Sequence, residues 1–287
     1  MRVGVVFPQT EIGTDRGAIR AYADGVQELG YQHILAYDHV LGADTTVHTG
    51  WQGPYDLETT FHEPMVLFGY LAAFTIVELV TGIIILPQRQ TALVAKQAAE
   101  VDLLSGGRLR LGVAIGWNHV EYASLGEDFS TRGARLEEQV SLLRRLWTEE
   151  SVTFEGRFDR IEGAGICPLP LQRPIPLWFG ASSPQALRRA GRLSDGFFPQ
   201  VPPGERLDEA LAHVAEGARD AGRDPSEIGM EGRMGVGHRD VAKIERHLTG
   251  WREAGASHVS FNTMGFGLHG VDGHLAALAA AADVALD

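Results

Sequence analysis

The stretch HILAYDHVLGAD, residues 33 to 44, ends an apolar run on Asp38 and His39, an acid and an imidazole that are costly to bury unpaired. A histidine exchanges protons near neutral pH, so the pair could supply acid–base chemistry. Consecutive strand residues point to opposite faces, so one of the two would face inward unless the strand has already turned. The same pair also reads as a solvated strand end bonded to loop backbone.

Other stretches add to this one. In FGASSPQALRRAG, Gly180, Ala181, Ser182 and Ser183 precede Pro184, where a helix begins. Ser183 suits the N-cap and Pro184 the first helical position, so the free amides of that turn could cradle an anion; an ordinary capped helix uses the same residues. The serines are not a hydrolase nucleophile elbow, because Pro184 stands where G-x-S-x-G needs glycine. GFGLHG, residues 265 to 270, matches G-x-G-x-x-G, yet no strand with an acid about 20 residues on can follow before the chain ends, so it reads as a loop. His62-Glu63 continues Pro64-Met65-Val66, which lacks the second histidine of H-E-x-x-H, and no metal site is expected. Trp51, Tyr55, Phe61 and His62 belong to a polar and aromatic stretch that could roof an apolar substrate or merely pack on the surface.

These residues need a scaffold. Short β-branched runs alternate with helical patterns along all 287 residues, the signature of repeated βα units. Strands are expected at 3–7, 33–37, 80–86, 109–115, 177–179, 196–199, 228–236 and 259–262, with helices at 18–29, 64–74, 93–104, 135–147, 184–192, 205–221, 241–254 and 271–285. Eight such units close into a (β/α)8 TIM barrel forming a single domain over residues 1–287, with an open doubly wound sheet as the alternative. Residues 41–62 make a long loop after strand 2, and residues 151–174 a small β-hairpin insertion before strand 5, turning at Glu155-Gly156. In a barrel, function sits at the strands' C-terminal ends. There the sequence offers Asp38-His39, Gly116-Trp117 and Gly180 to Ser183, amides and hydroxyls suited to a flat polar heterocycle with a phosphate.

Bulk composition narrows the partners. A net charge of −12 argues against nucleic acid and anionic membranes, and the apolar stretch from Met65 to Val80 is too short and carries an acid, leaving a small molecule as the expected partner. One cysteine, Cys167, permits no internal disulfide, and MRVGVVFPQ enters a strand without a signal-peptide core, so a cytoplasmic location is expected.

Taken together, VGVVFPQ, ELGYQHILAYDHVLGAD, the block from Thr81 to Gly126, RGARLEEQVSLLRRLW and PIPLWFGASSPQALRRAGRLSDGFFP resemble the bacterial luciferase-like monooxygenase superfamily, in its branch of coenzyme F420-dependent oxidoreductases. The resemblance implies a luciferase-like barrel that binds F420, or FMN as the alternative, at its C-terminal face. It implies a non-prolyl cis peptide at Gly82-Ile83 or Ile83-Ile84 against the cofactor ring, with Gly82, Ile83, Ile84, Gly116 and Trp117 at the ring and Gly180, Ala181, Ser182 and Ser183 at its phosphate. It sets Asp38 toward the cofactor and His39 toward the substrate as the proton-exchanging residue, with Trp51, Tyr55 and His62 over the substrate. A homodimer is the expected assembly. One departure stands out: Trp117 occupies the position where some F420-dependent sugar-phosphate dehydrogenases of the family carry an acid, so their proton-transfer scheme does not carry over whole and a sugar phosphate is not the expected substrate. Hydride transfer to or from F420 is thus the leading expectation, followed by FMN-dependent oxygenation and by cofactor binding without turnover.

Overall fold

The computed structural model describes residues 1–237 and 241–286. Alternation of buried side chains explains its strands. In β2 (His33–Ala36), Ile34 and Ala36 pack outward under the helices while His33 and Leu35 point into the barrel. The parallel neighbours β1 (Arg2–Val6) and β3 (Glu78–Thr81) flank it. β4 (Ile84–Ile85) continues β3 after a cis peptide bond at Gly82–Ile83 and pairs with β5 (Leu109–Ala114). β5 leads to β8 (Leu177–Ala181), β9 (Gly196–Pro199), β10 (Gly229–Gly235) and β11 (His258–Asn262), which returns to β1. β3 also pairs with β5 through Leu79↔Leu109 and Val80↔Arg110, which closes the ring and excludes the open sheet.

Helices α1 (Arg16–Glu28), α2 (Pro64–Leu71), α3 (Thr91–Ser105), α4 (His119–Ser124), α5 (Arg132–Thr148), α6 (Pro184–Leu193), α7 (Glu205–Asp220), α8 (Val241–Glu253) and α9 (Gly270–Ala285) lie between strands. Only the short α4 was absent from the sequence reading. The insertion forms β6 (Val152–Glu155) and β7 (Arg160–Ala164). Its turn is wider than a two-residue Glu155-Gly156 hairpin, because Glu138 of α5 accepts hydrogen bonds from the amides of Arg157, Phe158 and Asp159 at 2.7, 2.8 and 2.7 Å. GFGLHG lies in the loop between β11 and α9. Among the described residues no helix is long and apolar enough to cross a membrane.

The barrel interior is partly charged, and the charges are paired. Arg110 gives Nη1 to Glu231 at 2.5 Å and Nη2 to Glu78 at 3.1 Å, and it stacks over Trp178 at 4.3 Å. His33 Nε2 lies 3.0 Å from Glu231 and 2.9 Å from Ser260. Burial alone would raise the Glu231 carboxyl, but Arg110 and His33 overcome that and hold it far below the usual carboxylate range. This layer is the floor of the site above it.

Candidate active site

A cavity of ≈ 540 Å³ opens at the C-terminal ends of the strands. On one side it is walled by Gly82, Ile83, Gly116 and Gly180 to Ser183; on the other by Leu35, Tyr37, Arg233 and Gln200; Glu231 and Ser260 lie at its floor. Glycines make the first wall flat. Gly116 has φ +64°, and a Cβ there would meet Ile85 Cγ2 at 2.7 Å. A Cβ on Gly82 would sit 2.2 Å from Leu35 Cδ2.

His39 lies at the rim, with its ring 4.9 Å from Phe61, 5.3 Å from Tyr55 and 5.3 Å from Trp117. Its Nδ1 stands 3.3 Å from Oε2 of Glu121, a residue fully buried on α4. Glu121 also accepts from the amides of Val40 and Leu41 at 2.5 and 3.1 Å and from Gln88 Nε2 at 3.1 Å. Burial alone would raise its carboxyl, yet the hydrogen bonds from His39, the two amides and Gln88 hold it below the ordinary range. An ionised carboxylate only accepts, so Nδ1–H of His39 is the donor in this contact and Nε2 is the other ring nitrogen. Among the described residues Nε2 has no hydrogen-bond partner, which leaves it available to a ligand.

Asp38 does different work. Its Oδ2 accepts from the Ile85 amide at 3.0 Å and its Oδ1 from Arg89 Nη2 at 2.8 Å, so it braces the strand that follows the cis peptide. Burial pushes its carboxyl up, against the pull of Arg89 and the Ile85 amide. Arg89 also reaches Glu63 Oε1 at 3.0 Å, and Glu63 Oε2 caps α2 by accepting from Val66 N at 2.7 Å. Both ends of the loop 41–62 are therefore tied down, by the buried Glu121 at one and the half-buried Arg89 at the other. Within it Thr46 N bonds Asp44 at 2.8 Å, Leu57 N bonds Ala43 O at 3.0 Å and Trp51 Nε1 bonds Tyr55 O at 3.0 Å.

Of the residues singled out from sequence, Asp38, His39, Tyr55, Gly82, Ile83, Gly116, Trp117, Gly180, Ala181, Ser182 and Ser183 line the one cavity. Three do not. Ile84 packs in the outer core and Ile85 takes the cavity face. Trp51 lines a second cavity of ≈ 510 Å³ with His48, His119 and Trp117, which borders both. His62 bonds the Gly13 carbonyl at 3.2 Å and packs on Phe7 at 5.9 Å, away from either cavity. The sequence alone does not single out Glu121, Arg132 or Arg233. Glu121 had a signal: Asn118 caps α4 by accepting from Val120 and Glu121 amides, and an acid three residues after a cap reads as a capping box. Here its carboxylate turns instead to His39 and the loop.

At the end of β8, Ser183 caps α6 by accepting from Ala186 N at 3.3 Å, and Arg132 at the start of α5 faces the same corner of the cavity. Gln185 and the serines present amides that no turn of helix can satisfy. A flat glycine wall ending in such a corner fits a planar ring with a phosphorylated tail. Among the described residues no group of three or more His, Cys, Asp or Glu is placed to hold a metal ion.

The luciferase-like monooxygenase family model matches residues 1–267. The chain belongs to this family. Among its curated relatives, an F420-dependent glucose-6-phosphate dehydrogenase of Intrasporangium calvum is 40% identical over 144 residues, 48% of this chain and 43% of that protein. An F420-dependent hydroxymycolic acid dehydrogenase of Mycobacterium tuberculosis is 28% identical over 261 residues, 87% of this chain and 66% of that one. The chain thus spans less than two thirds of the length of these curated relatives. The coenzyme F420-dependent tetrahydromethanopterin reductase of Methanopyrus kandleri superposes with a TM-score of 0.78 at 16% identity, covering 99% of this chain and 98% of that one, so the luciferase-like barrel is shared. Trp117 lines both cavities, so its indole stands between them.

Proposed function

We propose that this luciferase-like protein is an F420-dependent oxidoreductase acting on a small organic substrate, with His39 Nε2 as the proton-exchanging atom. The observation that carries the reading is the pairing of His39 Nδ1 with the buried Glu121, which leaves Nε2 unbonded on the cavity rim. Curated relatives that carry F420 in their names support the choice of cofactor. F420 when bound supplies the hydride acceptor or donor. The chain supplies the rest. Gly82 and Gly116 keep the ring's wall open, with the Ile83 side chain packed between them and Gly180 and with Trp117 at the edge, and the Gly180–Ser183 turn with Arg132 receives the phosphate. Asp38 keeps that wall in place through the Ile85 amide and stands behind the ring rather than reacting. Oxidation of a carbinol carbon sheds a hydroxyl proton as the hydride leaves; His39 takes that proton, and Glu121 stabilises the imidazolium. Tyr55, Phe61 and Trp117 keep water from the reacting atoms. The cytoplasm and a homodimer complete the proposal.

Titrating the protein separately with F420 and with FMN, followed by absorbance and fluorescence, tests it. F420 binding at a single site is expected. Tight binding of FMN alone turns the reading to oxygenation, and binding of neither refutes both.

A further inference from the structure

Charge on the cavity wall is mostly cancelled in place: Asp38 by Arg89, Glu231 by Arg110. Two guanidiniums are different, having no carboxylate within ion-pair distance among the described residues. Arg132 sits over the Phe129 ring at 3.7 Å beside the α6 corner. Arg233 projects from β10 on the opposite wall. Its Nη1 donates to the Tyr37 hydroxyl at 3.1 Å, its Nη2 to Gln200 Oε1 at 3.4 Å, and its guanidinium carbon lies 5.5 Å from the Tyr37 ring centre.

Those partners are neutral. They fix the plane of the guanidinium without cancelling its charge, and of its five N–H donors two are used. The chain as a whole carries a net charge of −12, so an exposed cation on the wall of its main cavity, without an ion-pair partner among the described residues, opposes the general field. A fork of free N–H groups on a rigid support matches a carboxylate, which takes two parallel hydrogen bonds. Its location separates it from the glycine wall: Arg233 is tied to Tyr37, two residues before His39, and so belongs to the proton-exchanging side.

We propose that Arg233 receives a carboxylate of the substrate, which makes the substrate a small organic acid whose reacting carbon lies toward His39. The assignment of a substrate rests on the oxidoreductase reading above; the anion site itself does not.

The test compares phenylacetate with phenylacetamide, which share shape and differ in charge, by calorimetry on F420-loaded and unloaded protein. The wild type is expected to bind the acid at least about tenfold better, the size of one charge-assisted hydrogen-bond pair. Arg233→Met removes that preference, Arg233→Lys keeps part of it, and F420 affinity stays within about twofold, the charge-dependent share of binding being the only one lost. Equal binding of acid and amide by the wild type overturns the proposal. So does a preference that survives in Arg233→Met, or a loss of F420 affinity in that variant, which would place the guanidinium on the cofactor. Should Arg233→Met not fold, Arg233→Gln gives the same comparison. If neither F420 nor FMN binds, the oxidoreductase reading fails, and the unloaded protein still decides the anion site.

Discussion

Glu121 Oε2 lies 3.3 Å from His39 Nδ1, joining a helix that the sequence hides to the imidazole that the sequence displays. The contact fixes the tautomer of His39. His39→Ala in folded, cofactor-loaded protein should lower kcat about 10²-fold or more, the usual worth of a positioned acid–base group. Glu121→Gln keeps the shape but loses the charge; steady-state kinetics should show a smaller loss, about tenfold, and an altered pH profile. Unchanged turnover in His39→Ala would remove it from the chemistry.

Stability should fall on the acid side for an identifiable reason. Glu121 titrates below the ordinary carboxylate range in the fold, so its contribution is complete at neutral pH and is lost as pH drops through that range. His258 is pushed down to about 3 by burial and by Arg110, so it stays neutral while the unfolded chain takes up a proton near pH 6.5. Both groups bind more protons unfolded, and melting temperatures should decline from about pH 6.5 downward. Histidine NMR should show one imidazole that does not titrate above about pH 4.

Arg89 is shared between Asp38 and Glu63. Arg89→Met leaves the Asp38 carboxylate buried without a counter-charge, and urea unfolding should show a loss of about 3 kcal/mol or more. F420 binding should weaken with it, because the Ile85 strand loses its brace.

Gly116 and Gly13 both have positive φ, +64° and +75°, but only Gly116 is crowded. Substituting alanine at Gly13 should cost about 1 kcal/mol from conformation alone. At Gly116 the added methyl also meets Ile85, so the loss should be larger and F420 affinity should fall; equal effects would mean that the flat wall is not needed.

Trp117 borders both cavities. Ligand binding should therefore change its emission, and Trp117→Phe should lose most of that change while Trp51→Phe retains it.

The barrel was legible because each strand is a short buried run and each helix carries a periodic apolar face. In β2, for example, Ile34 and Leu35 divide outward and inward as alternation requires. The same rule exposes what was missed. Assigning residues 82 to 84 to the site as a block overlooks this alternation, which gives Ile83 and Ile85 to the cavity and Ile84 to the core. α4 is only six residues long, too short for periodicity to register. The partners of Asp38 and His39 lie 51 and 82 positions away, and composition and spacing carry no sign of such pairings.

The loop from 41 to 62 is clamped at both feet by the groups that set the chemistry, Glu121 behind Val40 and Leu41, Arg89 behind Glu63. It cannot swing like a door on one hinge. It can only bow at its crown, around Trp51 and Tyr55, while the His39 imidazole stays seated against Glu121. Traffic through the mouth and the seating of His39 are thereby uncoupled: a guest can come and go without the His39–Glu121 contact having to form anew each time.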